Sequence, residues 1–129
     1  VEPPARQKRI RDLKATSYAL NDLVVDNIDY NILAKIPRPS QTILLFILSE
    51  NRAASQTRDH IIHGAEWVSW PAALHDIEPD RHRVGARSPD RFKGSANYLD
   101  ADGHAENIPA ATLKVMFDRG INPAAVPLD

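Results

Sequence analysis

Residues 9–17 read Arg-Ile-Arg-Asp-Leu-Lys-Ala-Thr-Ser, with an acid, Asp12, two positions before a base, Lys14. The fold turns on how this stretch is read. With period two, Ile10, Asp12, Lys14 and Thr16 share one face, and Arg11, Leu13 and Ala15 the other. With period 3.6, Ile10, Leu13, Ser17 and Leu20 line the face of a helix. A strand projects the two charges from the same side, about 6–7 Å apart. A helix leaves them as two solvated surface groups. The pattern alone leaves both readings open.

The neighbouring segments are better marked. In DNIDYNILAKIPRP, Asp26 or Asn27 suits a helix N-cap, and Ile28, Ile32 and Ile36 repeat at four-residue spacing with Leu33 beside them. Pro37 and Pro39 would end that helix. Thr42–Ser49 (TILLFILS) is a short, continuous apolar run that predicts a strand buried on both faces, the mark of a central parallel strand. If residues 9–16 are a strand, the order is strand, helix, strand. That is a βαβ unit, nearly always parallel and right-handed.

Farther along, Glu66–Pro71 (EWVSWP) predicts a strand with Trp67 and Ser69 on one face and Val68 and Trp70 on the other. Residues 75–94 are charged and broken by Pro79, Gly85, Pro89 and Gly94, so an exposed connection is expected there. SANYLDADGHAENI (95–108) reads as a hairpin turning at Asp102-Gly103. PAATLKVMFDRG (109–120) is the best-marked helix. Asn107 or Ile108 would cap it, Pro109 suits its first turn, and Leu113, Met116 and Phe117 form its apolar face. Gly120 suits a left-handed C-terminal cap. Residues 1–8 read as a tether, 9–120 as one domain and 121–129 as a Pro-broken tail. Trp67, Trp70 and Phe46 are expected as core anchors.

Composition bounds the function classes. The chain has 129 residues, 43% hydrophobic and 26% charged, which suits one globular domain. Lys and Arg total 16 against 17 Asp and Glu, so no global charge footprint for nucleic acid exists, though a local patch can. With no cysteine, disulfides, thiolate zinc sites and Cys nucleophiles are excluded. The longest apolar run, Ile43 to Leu48, falls far short of the ~18 residues that span a bilayer. The expectation is a cytoplasmic protein without membrane contact.

Taken in order, RIRDLKATS, LVVDNIDYNILAKIP, TILLFILSE, HIIHGAEWVSW and NIPAATLKVMF resemble a bacterial domain-of-unknown-function family of the PD-(D/E)XK nuclease superfamily. The resemblance covers roughly residues 9–118 and rests on the order and spacing of the motifs. It implies an α/β, restriction-endonuclease-like mixed sheet with a crossover helix, and metal-dependent hydrolysis of DNA. Asp12 would match the metal-binding acid and Lys14 the catalytic lysine. A carboxylate is the hard ligand Mg²⁺ prefers, and a lysine can steady charge developing on a phosphate.

The same resemblance implies a second carboxylate from a preceding strand. The only acid before Asp12 is Glu2, beside two prolines, so the expectation is a core lacking its N-terminal part and weak in catalysis. An open sheet edge would then invite a partner chain or a second copy. The alternative is a non-catalytic DNA- or protein-binding module on the same sheet. Arg83, Arg87, Arg91 and Lys93 form a local basic loop that could contact a phosphate backbone. His60, His63 and Glu66 make a zinc site thinkable, but Gly64 weakens the helix it needs. His75, His82 and His104 read as surface residues.

Overall fold

A computed structural model describes residues 18–49 and 61–128. The strand expected over residues 9–16, with Asp12 and Lys14, lies outside the described residues, as does His60. The chain forms an α/β domain around a five-stranded mixed sheet in the order β3-β1-β2-β4-β5. The strands are β1 (Tyr18–Asn21), β2 (Ile43–Ile47), β3 (Ile61–Ile62), β4 (Ser95–Asp100) and β5 (Ala105–Pro109). Three helices accompany them: α1 (Asp22–Val25), α2 (Trp70–Leu74) and α3 (Ala110–Asp118). Among the described residues no helix is long and apolar enough to cross a membrane.

The apolar run is a strand at the centre of the sheet, as its composition requires, but it is not parallel to its neighbours. β2 runs antiparallel to both β1 and β4, and the one parallel pair is β1 with β3. An antiparallel pair needs no crossover helix, and none is found. The segment expected to be that helix carries only a short 3-10 turn, Leu33–Lys35. Asn27 diverts the chain: its side-chain oxygen accepts from the Asp29 N–H, and its carbonyl accepts from Tyr30 and Asn31. Ile28, Ile32 and Leu33 remain exposed, so their helical spacing faces nothing it could bury itself against.

The expected strand Glu66–Pro71 is also corrected. Gly64–Glu66 is a 3-10 turn, and α2 starts at Trp70. The Ser69 hydroxyl accepts from the Ala72 N–H, and Pro71 sits in the first turn where its missing N–H costs nothing. Both tryptophans are nonetheless buried. Phe46 meets Trp67 and Tyr98 edge-on, at ring-centre distances of 5.0 and 5.6 Å. Trp70 packs against Phe92 and Phe117. Aromatic content therefore located the core even where the local conformation was misread.

The hairpin and the last helix follow the sequence closely. β4 and β5 pair from Ser95↔Pro109 to Leu99↔Ala105, and Gly103 takes a φ of 93° in the turn. α3 is entered through Pro109, not capped by Asn107 or Ile108, which belong to β5. Its Leu113 is fully buried, and Gly120 takes a φ of 72° just past its end.

The C-terminal tail is tied into this core. Asn21, fully buried, donates from Nδ2 to the carbonyls of Ile43 (2.8 Å) and Ala124 (2.7 Å), while its oxygen caps α1 at the Leu23 N–H. Asn122 donates to the Gly64 carbonyl, and a Cβ on Gly64 would lie 2.6 Å from that of Ala124. The edge expected beside a residue 9–16 strand lies outside the described residues. Within the described sheet β1 is flanked on both sides, and the edges are β3 and β5.

Candidate functional site

Among the described residues two clusters form around buried acids, and they are completed differently. The first begins in Ile77-Glu78-Pro79-Asp80, which runs beside the end of β2. There the Glu78 N–H donates to the Ile47 carbonyl, and Ile77 bridges to Leu48. This places the side chains of Glu78 and Asp80 at 0% exposure. Burying such charges is tolerable only with partners, and the arginines of the following loop supply them. Arg91 grips Asp80 through two hydrogen bonds, at 2.7 and 2.8 Å. Arg87 donates to Glu78 at 3.0 Å, and its Nε lies 3.2 Å from Asp80 as a charge contact.

Burial pushes the Asp80 carboxyl up, but the hydrogen bonds and charge of Arg91, with the charge of Arg87, outweigh it. The group titrates below the usual carboxylate range. The grip also holds Arg91 at a φ of 63°, a left-handed conformation costing a non-glycine residue roughly 1–2 kcal/mol.

Of the four basic residues expected to meet DNA, Arg87 and Arg91 are thus turned onto acids. The other two, Arg83 and Lys93, line an open concavity of about 560 Å³ with His82, Val84 and Gly94. Arg83 is steadied by a bond to the Asp80 carbonyl, 3.2 Å. Gly94 is required there: its φ is 104°, and a Cβ would come within 2.7 Å of the His82 carbonyl.

The second cluster lies on the β4–β5 hairpin. Tyr98 pairs with Glu106, and the Asp100 N–H donates to the His104 carbonyl. Alternation therefore puts Tyr98 and Asp100 of one strand on the same face as His104, Glu106 and Ile108 leading into the other. Asp100 is fully buried, and no neighbouring N–H or O–H group donates to its carboxylate oxygens, while the Glu106 carboxyl lies close enough to share a proton with it. His104 Nε2 lies 3.0 Å from Asp100 Oδ2 and 3.8 Å from Glu106 Oε2, while its Nδ1 is 2.5 Å from Asp102 Oδ1. Among the described residues no lysine or arginine forms an ion pair with these three acids.

Burial first, then the charge of Glu106, raises the Asp100 carboxyl to about 6. The bond between His104 and Asp102 holds the imidazole up and the Asp102 carboxyl down. Asp100, His104 and Glu106 offer ligand atoms that all lie within 4.8 Å of one another. Sequence reading placed His104 at the surface, where it lies, but missed its approach to Asp100 and Glu106. The signal was there in Asp100-Ala101-Asp102-Gly103-His104-Ala105-Glu106, once strand alternation is carried across the turn.

His63 stands just before a 3-10 turn, not on a helix, and lies 3.4 Å from Asp22. No protein-family model matches the chain, and no curated protein or solved structure matches it.

Proposed function

We propose that this domain acts on nucleic acid as a PD-(D/E)XK-like, restriction-endonuclease-like module. The single observation that carries the reading toward nucleic acid is the concavity lined by His82, Arg83 and Lys93. Arg83 is held on its wall by its bond to the Asp80 carbonyl, and Asp80 is itself fixed by Arg91, which lowers the ordering cost of that one basic group. A phosphate backbone suits such a site, because it is read by charge and position without base contacts.

Hydrolysis is the further part of the proposal and rests on the resemblance. Asp12 would serve as a ligand for Mg²⁺ and Lys14 would steady charge on the phosphate. One carboxylate anchors an octahedral cation poorly, so cleavage needs at least one more acidic ligand. The antiparallel setting of β2 and the missing crossover helix depart from the expected core. They favour the second reading, a module that binds nucleic acid without cutting it.

Two measurements separate the readings. Anisotropy of a labelled DNA duplex over a salt series should show binding, with Arg83→Ala and Lys93→Ala each reducing the salt slope by about 1. On the hydrolytic reading, incubation of plasmid with Mg²⁺ gives nicking that Lys14→Ala abolishes. Binding without cleavage leaves the non-catalytic module; absence of binding at low salt removes both readings.

A further inference from the structure

We infer that the β4–β5 hairpin is a divalent-cation site of the Zn²⁺ type, with Asp100, His104 and Glu106 as ligands and Asp102 orienting the histidine. No residue of the nuclease-like reading enters this site, so the two stand or fall separately.

The inference starts from the histidine. His104 Nδ1 lies 2.5 Å from Asp102 Oδ1, and since a carboxylate oxygen can only accept, we assign the ring proton to Nδ1. A neutral ring then presents the lone pair of Nε2. That lone pair faces an oxygen of Asp100 at 3.0 Å, with an oxygen of Glu106 at 3.8 Å. Three potential ligand atoms lie within 4.8 Å of one another, and a cation or a proton between them would offset their mutual repulsion. Asp100 sharpens the requirement, since it is fully buried and both its oxygens lack a hydrogen-bond donor. An ionised carboxylate in that state is costly, and no lysine or arginine among the described residues pairs with it.

A metal ion meets each of these conditions. Ligands at about 2.0–2.1 Å in tetrahedral array stand about 3.3 Å apart, and the observed 3.0 and 3.8 Å separations bracket that spacing. An imidazole beside two carboxylates selects Zn²⁺ over Mg²⁺ or Ca²⁺, which take oxygen ligands. Asp102 supplies what a metal-bound histidine usually has, a carboxylate on its other ring nitrogen that fixes tautomer and orientation. The half-exposed side chains of His104 and Glu106 leave a path for the ion from solvent, and three protein ligands leave a coordination position for water. The rival occupant is a proton, either on His104, making it an imidazolium that bridges Asp100 and Asp102, or shared between the carboxyls of Asp100 and Glu106.

The test uses the full chain, freed of metal by chelation and titrated with ZnCl₂ by calorimetry, with MgCl₂ as the comparison. The expected result is one Zn²⁺ per chain in the micromolar range or tighter, with at least 100-fold weaker response to Mg²⁺. Asp100→Asn and His104→Ala should each lower Zn²⁺ affinity at least 100-fold. Asp102→Asn should lower it about 10- to 100-fold, and His75→Ala, at an exposed position outside the cluster, should leave it unchanged. Asp100→Asn keeps the shape of the buried side chain, and a thermal melt without metal checks that it folds. Zn²⁺ should raise the melting temperature of the unmodified chain and not of this variant. No stoichiometric binding at 100-fold excess of ion over chain would leave the proton as the occupant and overturn the proposal. Binding retained by both Asp100→Asn and His104→Ala would do the same by moving the site elsewhere.

Discussion

Glu78 and Asp80 differ from Asp100 and Glu106 in one respect that decides what each pair is for. Glu78, Asp80 and Asp100 bring negative charge into the core, with Glu106 half-exposed beside Asp100. The first pair is answered from within the chain by Arg87 and Arg91, and the second pair is answered only by an imidazole whose other nitrogen is already engaged. A buried acid with guanidinium partners is a closed structural unit, and it fixes the path of the loop that follows. A buried acid without them is an unfinished one, and it marks where something from solution belongs. Charge counting over the whole chain, 16 against 17, hides this entirely. The balance is local.

The contrast can be broken most forcefully at Arg91. Arg91→Met leaves Asp80 buried without its hydrogen bonds and with only the charge contact of Arg87, and should cost about 3–5 kcal/mol in urea unfolding. Replacing both, Asp80→Leu with Arg91→Met, should cost less than Arg91→Met alone, because no uncompensated charge remains. A double variant as damaging as the sum of the singles would show that the pair is not a unit.

Asp80→Asn comes next, with a loss of about 1.5–3 kcal/mol at neutral pH as charge-assisted bonds are given up. The folded-state value of Asp80 lies below its ordinary 3.8. Its stabilisation is therefore full above pH 3.8 and is lost as pH falls through the lower folded-state value. Stability curves of the unmodified chain and of Asp80→Asn should converge at the acid end, and parallel curves down to pH 2 would contradict the network.

Asp100→Asn should move the other way. In metal-free buffer at neutral pH it removes a buried charge that has no hydrogen bond, so stability should hold or rise by about 0–2 kcal/mol. A loss comparable to that of Asp80→Asn would erase the distinction between the two clusters. The smallest effect is expected at Lys93→Ala, within about 0.5 kcal/mol on stability, since that side chain belongs to neither cluster and its role is sought in DNA binding.

Legibility followed the strength of the local signal. The run Ile43–Ile47, the Asp102-Gly103 turn and the Pro109-to-Gly120 helix each carry their own punctuation, and the fold makes them a strand, a turn and a helix, though the strand pairs antiparallel and the helix follows β5 directly through Pro109. Residues 28–36 carry a helical stripe that nothing covers, and an Asn turn prevailed over it. At Trp67–Trp70 the aromatic pair spoke for burial, which occurs, and was mistaken for a strand, which does not. The basic loop was legible as residue types. Whether each arginine faces solvent or acid depends on where Glu78 and Asp80 come to rest, and that is decided by their pairing with β2. The hairpin cluster needed only the period-two rule applied on both sides of a turn. Asp12 and Lys14 stay an expectation of the resemblance, outside the described residues.

The carboxamide of Asn21 holds both Ile43 of β2 and Ala124, the second of them 103 positions along the chain from Asn21. A contact of that span cannot form until nearly all of the polypeptide between has been made. During synthesis the first strand and its short helix must wait, their polar knot open, for a tripeptide that leaves the ribosome long after them. Cleavage just before Asn122 in the mature protein would return the molecule to that waiting condition.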